Sequence, residues 1–340
     1  MSKKRVAING FGRIGRAAFR RLIKNHRDVE VVAINDLTDV ETLTHLLRYD
    51  SVYGMYEKSV KERNGSIMVD GVKEGMQVKV FAEKDPADLP WGELEVDVVL
   101  ECTGLFRDFE GSNKHIEAGA KKVIISAPSS DPEKIPSYIL GVNAHNFNSE
   151  EKIIDMGSCT TNCLAPIVKA VHENYGVTKG VITTVHSYTA DQRLLDSSHR
   201  DLRRARAAAV NMVPTTTGAA KALGRVMPEL DGKFDGIAVR VPTPTVSLLD
   251  LVVFLEQEAT REDLNYLLKK ESQKSDYRGV LGVEDAQLVS SDYVGNYYSA
   301  VVDSELTRVN GNMAKIVAWY DNEWAYACRL AEMAEFVLNK

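Results

Sequence analysis

Cysteine is scarce in this chain, and its scarcity excludes several classes. Cys102, Cys159, Cys163 and Cys328 are the only four in 340 residues, too few for a disulfide scaffold, and none stands in CxxC spacing. A structural zinc site is not expected, and a reducing, cytoplasmic setting is. No apolar run reaches roughly 18 residues, so no transmembrane helix is expected. The opening MSKKRVAINGFGRIGR is basic but turns into glycines instead of an apolar stretch, so it does not read as a signal peptide. Charge of one sign is also missing: 42 basic residues face 48 acidic ones, for a net charge of −6. Nucleic acid is therefore not expected as a primary partner, since it calls for a basic patch. Neither an internal repeat nor a low-complexity linker marks a domain boundary.

What the sequence has is length and apolar content. At 340 residues and 44% hydrophobic, it is long enough for about two domains with real cores. The first half alternates short apolar runs with helical spacing. Residues 5–8 (RVAI), 29–34 (VEVVAI), 96–100 (VDVVL) and 123–125 (VII) read as strands, and 16–24 and 112–120 as helices. That alternation predicts a parallel sheet. Residues 66–81 read as an antiparallel excursion around Gly71 and Gly75. In the second half, 160–174 reads as a helix. Longer strands follow at 181–185, 236–241, 246–255, 299–302 and 316–319, with a helix at 261–275 among them and a last amphipathic helix at 323–338. The expected architecture is α/β. An N-terminal Rossmann domain, residues 1–158, is rejoined by the C-terminal helix, 322–340, and an α+β domain with a mixed sheet spans 159–321.

Residues 8–15 read INGFGRIG, a GxGxxG set after a predicted strand and opening a predicted helix. Glycines there permit a tight turn and close approach of backbone to a pyrophosphate, and the helix N-terminus offers free N–H groups. Alone the pattern is weak, because a glycine turn can join strand to helix with no ligand. Here the second strand runs into Asp36 about twenty residues further on, where a carboxylate can bond ribose hydroxyls. The set Gly10, Phe11, Gly12, Arg13, Ile14 and Asp36 thus reads as a dinucleotide site. Asp36 would repel the extra phosphate of NADP unless its side chain turns away.

SCTTNC at 158–163 precedes a helical run, placing Cys159 at or next to a helix N-terminus. That position lowers a thiol pKa and favours the thiolate. Cys163, about one turn inward, reads as a small core side chain, and Cys102 and Cys328 as structural. Among seven histidines, His186 is the best candidate base, since it closes a predicted strand and opens the polar stretch SYTADQR. A strand-end histidine is also commonly a hydrogen-bonded bystander, so the pattern alone leaves its role open.

INGFGRIGR, SCTTNCLAP, HSYTADQR, LRRARAAA, PTTTGAAKA, RVPTPTVSLLDL and WYDNEWAY, taken in order, resemble the phosphorylating glyceraldehyde-3-phosphate dehydrogenases, from Arg5 to about Leu338. The resemblance implies Cys159 as nucleophile and His186 as base, acting through a hemithioacetal and a thioester. It implies 1,3-bisphosphoglycerate as product. It assigns the substrate phosphate to Thr189, Asp191 and Arg240, and the attacking phosphate to Ser158, Thr160, Thr217 and Gly218, with Arg204 assisting. Arginine forks and hydroxyls suit phosphate oxygens. The run Arg203 to Arg206 also fits a solvated or interface cluster, and Thr215 to Thr217 a helix cap. On the cofactor side the resemblance adds Thr103, Gly104 and Ser126, and gives Asn322 to the nicotinamide amide. It also implies a cytoplasmic homotetramer.

Three departures from the family pattern are expected to be tolerated. Met156-Gly157 replaces the usual Asn-Ala, a change expected to loosen the turn before Cys159; Cys102 replaces serine in ESTG; and Ala325 and Ala327 stand in WYDNEWAYA. Asp36-Leu37 resembles NAD-specific members, whereas the stretch around Ser198 resembles NADP-accepting photosynthetic ones. NAD is favoured and NADP use stays open. The nearest competing readings are erythrose-4-phosphate dehydrogenase, which generally lacks TTTGAAKA, and aspartate-semialdehyde dehydrogenase, which lacks SCTTNC and RVPTP. A non-catalytic binding role is opposed by the intact cysteine and histidine.

Overall fold

The computed structural model describes residues 3–71 and 75–340. Two compact units appear. One comprises Met1–Tyr138, Asn146–Met156 and Ala327–Lys340, the other Ile139–His145 and Gly157–Tyr326. The chain leaves the first unit after Met156 and returns to it at Ala327.

In the first unit the elements run β1 (Lys4–Asn9), α1 (Arg13–Asn25), β2 (Val29–Asn35), α2 (Val40–Arg48), β3 (Val60–Arg63), β4 (Ser66–Val69), β5 (Met76–Phe81), β6 (Val98–Glu101), α3 (Phe109–Glu117), β7 (Lys122–Ile125) and β8 (Ile153–Asp155). The sheet order is β3-β4-β5-β2-β1-β6-β7-β8. Strands from β5 through β8 pair in parallel, while β3–β4 and β4–β5 pair antiparallel, which is the excursion read around Gly71. Residues 72–74 within it lie outside the described residues. The central strands are buried along nearly their whole length, β6 entirely, as expected of a parallel sheet covered on both faces. Helix α1 buries Ala17, Ala18, Phe19 and Leu22. Its Gly15 is required, because an added Cβ would lie 2.2 Å from the Gly10 carbonyl oxygen.

The second unit is built on α4 (Cys159–Tyr175), followed by β9 (Val177–Ser187), β10 (Val213–Thr216), α5 (Ala219–Val226), β11 (Phe234–Val241), β12 (Ser247–Leu255), α6 (Arg261–Ser272), β13 (Leu281–Glu284), β14 (Ala300–Asp303), β15 (Arg308–Asn310) and β16 (Met313–Tyr320). The order β10-β11-β9-β12-β16-β14-β13, with β15 beside β16, is mixed: β11–β9 and β13–β14 are parallel, the rest antiparallel. Along β12 burial alternates strictly, so one face of the sheet is committed to the core. The core joins that face to α4, α5 and α6 through residues such as Leu164, Ile167, Leu223, Leu249, Leu251 and Leu268. The final helix, α7 (Trp324–Leu338), belongs to the first unit from Ala327 on.

Candidate active site

Cys159 is the first residue of α4, where the sequence puts it. Ser158 is the N-cap: its hydroxyl accepts the Thr161 N–H at 3.1 Å, and the Thr161 hydroxyl accepts the Ser158 N–H at 3.3 Å. Gly157 does not loosen this turn. Its φ of +61° lies in the left-handed region, and the capping box closes the turn behind it.

Strand β9 carries His186 to the sheet's end, and its parallel register with β11 sets His186 beside Arg240. Cys159 Sγ stands 3.5 Å from His186 Nε2. His186 Nδ1 lies 2.7 Å from the Ser187 carbonyl oxygen, which can only accept. That contact selects the Nδ1–H tautomer and turns the Nε2 lone pair toward the sulfur. Arg240 Nη1 approaches Nδ1 at 2.5 Å and the same carbonyl at 3.1 Å. Donation from Arg240 to Nδ1 would select the opposite tautomer, so arginine and carbonyl compete over which imidazole nitrogen carries the proton.

The charges differ from the sequence expectation. Burial pushes the Cys159 thiol up, outweighing Arg240 and the helix-terminal N–H groups that pull it down. Burial first, and then the Arg240 guanidinium, lower His186 to about 3. Both shifts favour a neutral thiol beside a neutral imidazole. The helix terminus favours the thiolate, but desolvation of a buried charge is the larger effect.

Of the residues assigned to phosphate, Arg240 lies against His186 and Thr160 hydrogen-bonds to Cys159. The buried Nε of Arg240 has no hydrogen-bond partner. Arg204 pairs with Asp191 and Asp201, and its Nε donates to Thr215 at 2.9 Å. Asp191 is thus engaged with an arginine. The Thr160 hydroxyl turns inward, 2.9 Å from the Tyr320 hydroxyl. Gly218 is the N-cap of α5 and lacks a side chain for it; Thr217 Oγ1 instead accepts the Ala219 N–H at 3.3 Å, and Thr215 and Thr216 lie in β10. The expected threonine cap reduces to that single bond. Thr189 accepts the Gln192 N–H through its carbonyl.

Some supporting residues escaped the sequence reading. Tyr320, buried at the end of β16, joins Thr160 to Thr184, whose hydroxyl is 2.7 Å away, and sets its ring edge-on to His186. Ser187 and Ser247 each donate to Asn322 Oδ1 at 2.9 Å, fixing that amide. Burial along β16 does not alternate strictly, so no period in the sequence singles out Tyr320.

In the first unit the glycine loop has the shape of an anion cradle. Gly10 has φ +90°, and Gly12 caps α1 without a side chain, leaving the helix's first turn open to a ligand. The Asp36 carboxylate accepts the Phe11 N–H at 2.8 Å and the Thr38 N–H at 3.0 Å. The Phe11 ring is buried against Phe19, so only its backbone serves the loop. Arg13 is paired with Asp50 and lies over the Tyr53 ring, and Ile14 is half-buried. Thr103 donates twice to Glu101, Gly104 has φ +72°, and Ser126 follows β7 with its N–H on the Glu101 carbonyl. A Cβ-free, uncapped helix start with a carboxylate close by fits a dinucleotide. Among the described residues no group of three or more His, Cys, Asp or Glu side chains is arranged to hold a metal, and no helix is long and apolar enough to cross a membrane.

Comparison with known proteins gives the family. Residues 4–109 match the family described as glyceraldehyde 3-phosphate dehydrogenase, NAD binding domain, and residues 158–322 match its C-terminal domain. Glyceraldehyde-3-phosphate dehydrogenase 2 of Synechocystis is 52% identical over 336 residues, covering 98% of each chain. The Geobacillus stearothermophilus glyceraldehyde-3-phosphate dehydrogenase is 50% identical over 338 residues, 99% of this chain and 98% of the relative. The chloroplastic A form of Chlamydomonas reinhardtii is 52% identical over 342 residues, 99% of this chain and 90% of the relative.

Proposed function

The chain belongs to the glyceraldehyde-3-phosphate dehydrogenase family, and from that premise we propose that Cys159 is its nucleophile and His186 its base. It oxidises glyceraldehyde 3-phosphate to 1,3-bisphosphoglycerate with reduction of NAD or NADP. The observation that carries the assignment is the 3.5 Å approach of the half-buried Sγ to the buried His186 Nε2. Nε2 takes the thiol proton as sulfur attacks the aldehyde carbon and passes it to the alkoxide that forms, giving a hemithioacetal and leaving the imidazole neutral again. The nicotinamide, when bound, supplies the hydride acceptor. Loss of the C–H hydride and of the hydroxyl proton to His186 leaves a thioester on Cys159. Inorganic phosphate attacks the thioester carbon, and the thiolate leaves with the acyl phosphate released.

Arg240 holds the substrate phosphate. Its unpartnered Nε supports this, and so does its place against His186. Neutralising its charge removes one cause of the low imidazole pKa, so binding of substrate would make the base stronger when it is needed. Thr189 and Asp191 complete that phosphate site, Asp191 by orienting Arg204. Ser158, Thr160, Thr217 and Gly218 receive the attacking phosphate. For Thr160 the donor is the backbone N–H, because its hydroxyl is engaged with Tyr320. Gly10, Phe11, Gly12, Arg13 and Ile14 receive the pyrophosphate, Asp36 the adenosine ribose, and Thr103, Gly104 and Ser126 line the cofactor. Asn322 receives the nicotinamide amide. A cytoplasmic homotetramer is part of the same proposal. It is supported by Leu194, Leu195, Leu202, Val210 and Met212, all more than half exposed on one segment.

Following NAD(P)H absorbance with glyceraldehyde 3-phosphate, phosphate and either cofactor tests the proposal. Reduction should require phosphate and vanish in Cys159→Ser, while cofactor still binds. Full activity in Cys159→Ser would remove the nucleophile from this position.

A further inference from the structure

The ends of three adjacent strands of the first unit are tied together by side chains that no catalytic step uses. Asn35 closes β2, Asn9 closes β1 and Glu101 closes β6. Asn35 Nδ2 donates to Asn9 Oδ1 at 2.7 Å, and Asn9 Nδ2 donates to Glu101 Oε2 at 2.5 Å. From α3, His115 Nε2 meets the same Glu101 oxygen at 3.1 Å. Trp91 fixes the state of that histidine. Its indole N–H can only donate, and it points at His115 Nδ1 from 3.0 Å. His115 is thereby the Nε2–H tautomer, donating to Glu101. The other carboxylate oxygen accepts the Thr103 N–H at 2.7 Å and the Thr103 hydroxyl at 2.5 Å. Glu101, Asn9, His115 and Trp91 are each at most 1% exposed.

Four donors on one buried carboxylate form a costly arrangement unless its geometry is needed. Its place suggests the need. Parallel sheets bind their ligands outside the carboxyl ends of the strands, at the point where strand order reverses. Here β1 lies between β2 and β6, and its end runs into the glycine loop. The loop and the β6 end touch: a Cβ on Gly10 would lie 2.6 Å from Thr103 N. Glu101 grips both sides of that contact, Asn9 directly before Gly10 and Thr103 opposite it.

We infer that Glu101, oriented through His115 by Trp91, is a positioning residue for the dinucleotide: it sets the spacing between the glycine loop and the Thr103–Gly104 turn. The inference rests on the proposed role of those two segments as the cofactor site. Glutamine at 101 keeps the shape but offers one oxygen in place of two, so either Thr103 or the Asn9–His115 pair loses its acceptor.

The test measures NAD binding by titration, and separately the cofactor-free alkylation of Cys159 by iodoacetamide and kcat at saturating NAD. Glu101→Gln should raise the NAD dissociation constant by about tenfold or more, equivalent to about 1.4 kcal/mol. Alkylation and saturated kcat should stay at the parent's values. Trp91→Phe, one step removed, should give a smaller rise in the same direction. A purely structural role would lower the melting temperature and leave NAD affinity of the folded protein unchanged; that result overturns the inference. Gly10→Ala is the control. If it weakens NAD while Glu101→Gln does not, the inference alone fails. If neither weakens NAD, the glycine-loop assignment fails with it. Should Glu101→Gln not fold, Trp91→Phe and His115→Gln are read in the same way: weakened NAD supports the inference, and unchanged NAD affinity overturns it.

Discussion

Cys159 Sγ and His186 Nε2 stand 3.5 Å apart although 27 positions separate them in the chain. One begins a buried helix and the other nearly ends a strand, so each is fixed by its own element. A pair held in this way needs little reorganisation to react. Replacing His186 with Asn should slow NAD reduction by roughly 10²- to 10⁴-fold, the range for loss of a general base. Affinity for NAD should not change. Single-turnover rates with glyceraldehyde 3-phosphate, beside NAD titration, measure both; a loss under about tenfold would mean another group takes the proton.

The lowered pKa of His186 predicts how stability follows pH. Folded, the imidazole takes up a proton only near about 3; unfolded, it does so at its ordinary 6.5. Between those values the unfolded chain binds more protons, so stability falls as pH drops from 6.5 toward 3. For one group the loss is at most about 1.4 kcal/mol per pH unit. Urea unfolding at neutral and mildly acidic pH should therefore show a smaller acid loss in His186→Asn than in the parent. Equal losses would assign the acid sensitivity to other groups.

Asp36 is held in place by the Phe11 and Thr38 N–H groups. In the proposed cofactor site it would present negative charge to the additional phosphate of NADP. Two like charges about 4 Å apart cost up to about 4 kcal/mol at an effective dielectric of 20. Asp36→Ser should accordingly shift the ratio of kcat/KM for NADP over NAD by about tenfold or more, which needs only about 1.4 kcal/mol. Activity with NAD should also fall, because Phe11 loses its acceptor. An unchanged ratio would place cofactor choice elsewhere, with Ser198 the next position to vary.

Gly157 gives a prediction opposite to the sequence expectation. At φ +61° an alanine is strained by roughly 1–2 kcal/mol, and its Cβ would press on Thr161 at 3.2 Å. Since Thr161 closes the capping box of Ser158, the strain falls on the turn that aims Cys159. Gly157→Ala should lower stability by about 1–2 kcal/mol and slow Cys159 alkylation. Alkylation at the parental rate would show that the turn has room to adjust.

Much of this was legible in the sequence because local rules and tertiary packing agree there. The glycine turn, Asp36 and the helix beginning at Cys159 were readable from spacing alone. Helix α2 was passed over although Asp39 caps it and Leu43 and Leu47 repeat at helical spacing. Strands β8 and β15 are three residues each, too short for any period to register. The upward push on the Cys159 thiol was not legible, for a different reason. A helix terminus is visible in sequence, whereas burial of the thiol is decided by residues far along the chain, Tyr320 among them. The Glu101–His115–Trp91 network escaped for the same cause, since β6, α3 and the loop before β6 meet only in the fold.

Tyr320 is the clearest of these long-range contributors. Its hydroxyl lies 2.9 Å from Thr160 and 2.7 Å from Thr184, and burial pushes the phenol pKa well up, so it acts as a neutral hydrogen-bonding group. Tyr320→Phe keeps the ring beside His186 and removes only the oxygen. Two threonine hydroxyls, on residues at most 4% exposed, then lose a partner. A buried polar group without its partner costs about 1–3 kcal/mol. Part of that returns if the two threonines move together. Stability should therefore fall by about 1–2 kcal/mol in urea. Because Thr160 stands next to Cys159 in the first turn of α4, the sulfur should also be less firmly placed, and kcat should drop severalfold while KM for NAD holds. Loss of stability with kcat intact would confine Tyr320 to the core; loss of kcat with stability intact would mean that the hydroxyl reaches the reaction through His186 instead.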